Sequence, residues 1–258
     1  MQTLLVLMYH GIVTEWSVLP KEREAGADLY DVLLSNFQAQ MQCLSADGYK
    51  VETINGHPEL LGPKSVVLTF DDGEMNNYEQ AFPVLKKHRF PAYFFIIASR
   101  VGKKGYMGWD ELRELHDSGM VIGSHGFSHE ILTNLLDTQI EEELKASKRY
   151  LEYNLKIPVD TLSIPRGFCN EKIIQMAYNV GYKVVFISGK PKALKTLCFS
   201  RVGVKATWSL SRFEQALKGK TPPRERIATG GINFVKNIFG GGTYDWIRRV
   251  LLKIAGRA

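Results

Sequence analysis

Two aspartates, Asp71 and Asp72, close an apolar run in the stretch VVLTFDDGEMNNY. Adjacent carboxylates at the end of a buried segment repel each other unless a cation shares their site. A turn that holds both in water is one solution. A metal ion that takes one as a ligand and leaves the other as a nearby base is another. A second stretch, VIGSHGFSHEIL, carries His125 and His129 four residues apart, so one helical turn or a tight loop aims both at one point. Two neutral imidazoles and one carboxylate make a three-ligand centre that leaves positions open for water and substrate. A lone histidine pair is weak evidence. It gains weight here because each motif follows a strand-like run, and in parallel α/β folds the carboxyl ends of strands share the face where active sites are built.

The elements that must position these residues alternate along the chain. Strand signals fall at residues 4–8, 66–70, 92–97, 121–123, 162–164 and 184–187. Between them, Ser35 and Gln38 read as a capping box for a helix stopped at Gly48, and residues 78–88 form another helix. Residues 109–118 precede Gly119, Thr138 with Glu141 opens a long helix, and residues 171–180 precede Gly181. Ser211 and Glu214 cap one more. This alternation predicts an α/β fold with a mostly parallel sheet, closed or nearly closed into a distorted (β/α) barrel over residues 1–219. Residues 220–258 read as a basic appendage, and the polar loops at 13–28 and 187–196 as surface segments.

A 258-residue chain with 45% hydrophobic and 23% charged residues has an ordinary globular composition. Its three cysteines, Cys43, Cys169 and Cys198, match no zinc or redox spacing and point to a reducing compartment. The opening MQTLLVLMYHG lacks a basic n-region, and no apolar run has the length of a membrane span. The expectation is a cytoplasmic protein. The net charge of +6 is uneven: residues 190–258 carry 15 basic and 3 acidic side chains, the first 189 carry 18 and 24. In the tail TYDWIRRVLLKIAGRA, Ile247, Val250, Leu251 and Ile254 share one helical face. Such a helix can lie peripherally on an anionic membrane, on its inner face here, and meet a lipid-linked glycan. The plainer reading, favoured on helix length, packs that face on the barrel. No nucleic acid is expected as a partner, since only charge would argue for one.

With TFDDG followed by SHGFSH, residues 4–187 resemble the polysaccharide deacetylase family, the NodB-homology domain of carbohydrate esterase family four. The resemblance implies a distorted (β/α) barrel that removes acetyl groups from sugars with a divalent metal. It implies Asp71 as the catalytic base and Asp72, His125 and His129 as the metal ligands. Zinc is the default for that donor set, with cobalt, nickel or manganese also compatible. The substrate expected is an N-acetylated carbohydrate.

The chain departs from the family in two places. The usual leaving-group acid is a late histidine in an L-x-x-H motif, but the last histidine here is His129. His10 in LVLMYHG is the candidate replacement, because the opening resembles permuted members such as the biofilm poly-N-acetylglucosamine deacetylases. The third motif, often R-x-P-Y, reads SIPRGF: Pro165 and Gly167 match, Ser163 replaces the arginine, and Arg166 the tyrosine. Arg166 is therefore the candidate for the oxyanion donor through its backbone, and for the missing partner of Asp71 or an anionic substrate contact through its side chain. A rim salt bridge is its plainer role. Pro165 and Gly167 would border the substrate, and Trp109 would either stack on a sugar or pack within the fold. His57, His88 and His116 read as surface residues. Rival readings are a deformylase or deacetylase of a lipid-linked sugar, a non-haem iron oxygenase built on the same donors, and a glycan-binding barrel without catalysis.

Overall fold

The computed structural model describes residues 4–17, 19–24, 26–54, 56, 58, 61–188 and 197–220. The expected amphipathic tail, the loop over 189–196 and His57 lie outside the described residues. The first half contains β1 (Leu5–Tyr9), β2 (Ile12–Val13), β3 (Val32–Leu33), α1 (Leu34–Ala46), β4 (Lys50–Val51), β5 (Ser65–Phe70), α2 (Phe82–His88) and β6 (Tyr93–Ile96). Then come α3 (Trp109–Asp117), β7 (Val121–Ser124), α4 (Asp137–Leu155), β8 (Thr161–Ser163), α5 (Glu171–Val180) and β9 (Val184–Ile187). The chain continues through β10 (Cys198–Ser200), β11 (Val202–Gly203) and α6 (Leu210–Leu217).

All pairings in the main sheet are parallel, in the order β10-β9-β8-β7-β6-β5-β1-β11, with β4 on the lower end of β5. Because β10 and β11 are separated only by Arg201, one short stretch pairs first with β9 and then with β1. That stretch brings the sheet round into a nearly closed barrel. The expected α/β barrel is the observed fold, and the near-continuous apolar strands follow from burial on both faces: every residue of β5, β6 and β9 is buried.

Side-chain alternation along these strands divides the core in two. Val6, Val67, Tyr93, Phe95, Val184 and Phe186 fill the lower barrel interior. Their sequence neighbours Leu7, Leu68, Phe94 and Val185 belong to the cluster shared with the helices. Gly123 is required by space rather than by backbone angle, since a Cβ there would lie 2.5 Å from the Phe95 ring and from Thr161 Oγ1.

Helix starts differ from the capping expectations. The chain passes directly from β3 into α1 with Leu33 at the N-cap, so Ser35 lies inside the first turn and caps nothing. α4 opens at Leu136, whose N–H donates to Gln139 Oε1 at 2.9 Å, ahead of the expected Thr138. Ser209, not Ser211, accepts the Arg212 N–H at the start of α6. The expected helix over 78–88 begins with a π-turn, Asn77–Ala81, before α2. No helix among the described residues is long and apolar enough to cross a membrane.

Candidate active site

The inward alternation runs past the ends of the strands and so selects the residues at the mouth. β1 and β5 align Tyr9 with Phe70, and Asp71 N–H donates to the Tyr9 carbonyl at 3.0 Å. The next inward positions are therefore His10 and Asp71, side by side. Across the barrel, His125 N–H donates to the Ile96 carbonyl at 2.8 Å, extending β7 by one residue. Asp71, His125 and Ser163 are all buried.

The backbone is bent where the donors need it. Asp72, His129 and Arg166 adopt left-handed conformations with φ of 75°, 71° and 58°. The other two non-glycine residues of this kind among those described, Arg89 and Lys156, cap α2 and α4. A left-handed conformation costs a non-glycine residue roughly 1–2 kcal/mol. The three at the mouth carry that cost where direction matters.

Asp72 Oδ1 lies 3.5 Å from His125 Nε2 and 3.5 Å from His129 Nε2. Both rings have their other nitrogen engaged: His125 Nδ1 donates to the Ser163 carbonyl at 2.8 Å and His129 Nδ1 to Glu24 Oε1 at 2.9 Å. A carbonyl and a carboxylate only accept, so each ring carries its proton on Nδ1 and turns an Nε2 lone pair towards Asp72. Burial disfavours the imidazolium form, lowering His125 to about 4 despite the nearby aspartates and lowering His129 as well. Asp72 Oδ1 itself is buried with no hydrogen-bond partner. Three acceptor atoms thus face one another with no proton between them, all within 4.8 Å. This donor set fits one divalent cation, and its hydrogen-bonded histidines have the orientation such ligands require.

Asp71 stands beside this cluster, Oδ2 3.8 Å from His125 Nε2. Its partner is Arg201, which sequence reasoning missed. The guanidinium donates from Nη1 to Oδ1 at 2.7 Å and from Nη2 to Oδ2 at 2.8 Å, and also from Nη2 to Ser163 Oγ at 2.8 Å. Burial alone would raise the Asp71 carboxyl, but Arg201, with His125 and His10, holds it well below the usual carboxylate range. Asp72 is lowered too, its burial outweighed by His129, His10 and His125. Arg201 lies over the Phe95 ring, 5.7 Å from its centroid.

Arg166 does not supply the missing partner of Asp71. Its left-handed turn sends the guanidinium to Glu24, with which it forms an ion pair. Ser163, small and on the inner wall, leaves the space that Arg201 enters from the junction of β10 and β11. Pro165 is buried in the turn after β8, and a Cβ on Gly126 would lie 3.1 Å from its ring. A Cβ on Gly167 (φ 69°) would lie 2.6 Å from Ser188 Cβ, so both residues shape that turn. Trp109 starts α3 and packs edge-on against Tyr150 of α4, ring centroids 5.5 Å apart. Its ring contact lies in the helix layer. His10 packs its ring against Tyr30 at 4.9 Å, and its Nδ1 is buried without a partner.

The loop over 13–28, expected at the surface, sends two side chains inward. Arg23 donates from Nε to Glu74 Oε1 at 2.6 Å and from Nη1 to Asp31 Oδ2 at 2.8 Å. Asn76 Nδ2 donates to Glu74 Oε2 at 2.7 Å, Ile12 N–H to Asn76 Oδ1 at 3.0 Å, and Asn77 Nδ2 to the His10 carbonyl at 2.6 Å. This network locks the segments after β1 and β5 together, and with them His10 and the aspartate pair. Arg201 lies one inward step beyond Phe199, on a stretch too short to read as a strand from the sequence. Nothing in the polar run KEREAG marks Glu24.

Comparison with known proteins bears on the family and the fold. Residues 60–185 match the family model described as polysaccharide deacetylase. The chain is 30% identical over 187 residues to YxkH of Bacillus subtilis (strain 168), a protein classed by its name with the polysaccharide deacetylases. It is 29% identical over 179 residues to a poly-beta-1,6-N-acetyl-D-glucosamine N-deacetylase of Staphylococcus aureus (strain MRSA252). The matches cover 70% and 61% of this chain but only 63% and 61% of those proteins. Among solved structures, the Streptococcus pyogenes deacetylase PplD in complex with acetate superposes with a TM-score of 0.72 at 26% identity, covering 83% of this chain and 97% of that one.

Proposed function

Since this chain carries a polysaccharide deacetylase domain, we propose that it is a metal-dependent hydrolase that removes N-acetyl groups from an amino sugar in a glycan or glycan precursor. The observation that carries the reading is the pairing of two differently tuned aspartates: Asp72 with its orphaned oxygen facing two Nε2 lone pairs, and Asp71 held by an arginine fork. Asp72, His125 and His129 would hold the divalent ion, zinc by default for these donors. Such an ion, when bound, makes water more acidic and polarises an acyl oxygen.

The remaining work falls to the chain's own groups. Asp71, ionised by Arg201, accepts the proton of the attacking water as its oxygen adds to the acyl carbon. The same fork makes Asp71 a weak base, suited to a water that a bound cation would acidify. When the C–N bond breaks, the departing nitrogen needs a proton, because an amide anion is a poor leaving group. His10, which continues the β1 register beside Asp71 and has a buried, unpartnered ring nitrogen, would give it. The products are acetate and a free amine. The test is acetate and formate release from a panel of N-acylated oligosaccharides and lipid-linked sugars, with and without a chelator. Acetate release from an oligosaccharide that stops with chelator is expected. Absence of any chelator-sensitive acyl release would overturn the reading.

A further inference from the structure

The loop between β2 and β3 contributes one carboxylate, Glu24, to a point where four segments of the barrel mouth meet. Glu24 Oε1 accepts from His129 Nδ1 at 2.9 Å, after β7. Its other oxygen pairs with Arg166, after β8, and Arg100, after β6, stands 3.8 Å from Oε1. His129 is 4% exposed and Glu24 26% exposed, so the contact sits at the inner edge of the mouth. Next along the chain, Arg23 is bound to Glu74 and Asp31. Glu24 thus enters on a segment that is itself anchored.

We propose that Glu24 is a positioning residue of the cation centre: it fixes the His129 tautomer and ring direction, and the loop segment over 19–24 is thereby a working part of that centre. This rests on the reading of Asp72, His125 and His129 as the donor set. The His125 ring needs no such help, because its Nδ1 is held by the main chain of β8. His129 lies on a left-handed turn beyond β7. For its Nε2 to face Asp72, the ring must be held from its other side by an acceptor, and Glu24 supplies it. Hydrogen-bonded partners of metal-ligating histidines typically contribute 10- to 100-fold in metal affinity. Coupling is reciprocal, so a bound cation must favour the docked loop by the same factor.

The experiment uses the full chain and measures zinc and cobalt affinity by chelator competition. The variants are E24A, E24Q, R166A and, as the donor-set reference, H129A, each checked for folding by circular dichroism. E24A is expected to bind about 10- to 100-fold more weakly than wild type. E24Q keeps an acceptor for Nδ1–H and should recover most of the loss. R166A removes the ion pair but leaves the histidine contact, and should stay within a few-fold of wild type. Limited trypsin digestion supplies a readout independent of affinity and activity. Lys21 is exposed on the loop, and zinc should slow cleavage after it in wild type but not in E24A. Equal affinity of E24A and wild type overturns the proposal. So does an R166A loss as large as that of E24A, or an E24Q no better than E24A. A wild-type chain that takes up no metal, with H129A indistinguishable from it, refutes the donor set instead.

Discussion

The two adjacent aspartates are chemically alike and physically opposite. Asp71 faces a guanidinium fork in a site where its side chain is 3% exposed and that of Arg201 1%. Removing one member of a buried pair leaves the other uncompensated, which costs about 3–5 kcal/mol. R201A should therefore lower stability by that order, read from the midpoint of urea unfolding. R201K should recover only part, since lysine restores the charge but not two parallel hydrogen bonds. His10 makes a prediction of a different kind. H10A should reduce amide turnover by about a hundredfold or more, the usual contribution of a general acid, and leave activated phenyl esters little changed. A phenolate departs without a proton and an amine does not, so equal losses on both substrates would remove His10 from that role. The aspartates and histidines were legible in the sequence because each motif directly follows an apolar strand. Arg201 was not. It is a single charge between two very short strands, indistinguishable in the sequence from the other cations of a basic segment, and only the closure of the sheet gives it a direction.

At the scale of elements, β1 and β5 to β9 were read from their apolar runs to within a residue or so, while the short β2, β3, β4, β10 and β11 were not, and the alternation inside the strands prescribes the site. Gly123, Phe95, Arg201 and Asp71 form one chain of contacts from the inner wall to the carboxylate. A methyl group at Gly123 would meet the Phe95 ring and Thr161 Oγ1, and displacing that ring disturbs the surface on which the guanidinium lies. G123A should destabilise the fold by about 1–3 kcal/mol, as overpacking does, and should also reduce turnover, measured by thermal unfolding and acetate release on the same preparation. Helix starts were less legible. Ser35, Thr138 and Ser211 each satisfy a capping pattern, but the incoming chain sets where a helix begins. In α1 the strand β3 leads straight in, and in α6 the entry is two residues earlier at Ser209. The loop over 13–28 escaped for the opposite reason: its polar composition is that of a surface segment, and only long-range partners such as Glu74 and His129 draw Arg23 and Glu24 inward.

The whole molecule carries a pH dependence that follows from the buried histidines. With no cation bound, burial lowers His125 to about 4, whereas in the unfolded chain it keeps its ordinary value of 6.5. Between those values the unfolded state binds more protons than the folded one, so stability falls as pH drops from about 6.5 to about 4. His129 acts in the same direction. Urea unfolding of chelator-treated protein at intervals across that window should show the decline, and H125N should flatten it. The closure of the barrel has a consequence for how the chain is made. β1 and β5 leave the ribosome early, and the aspartate at the end of β5 waits 130 positions for the arginine that neutralises it. Until then the sheet has two free edges, β1 and β9, and a carboxylate that cannot give up its water. A nascent chain that stops short of residue 197 can pair β1 through β9, but it has no means of drying the mouth. The stretch of β10 and β11 thus acts as a clasp fastened late, and Asp71 acquires its final surroundings at the same moment that the sheet loses its open edges.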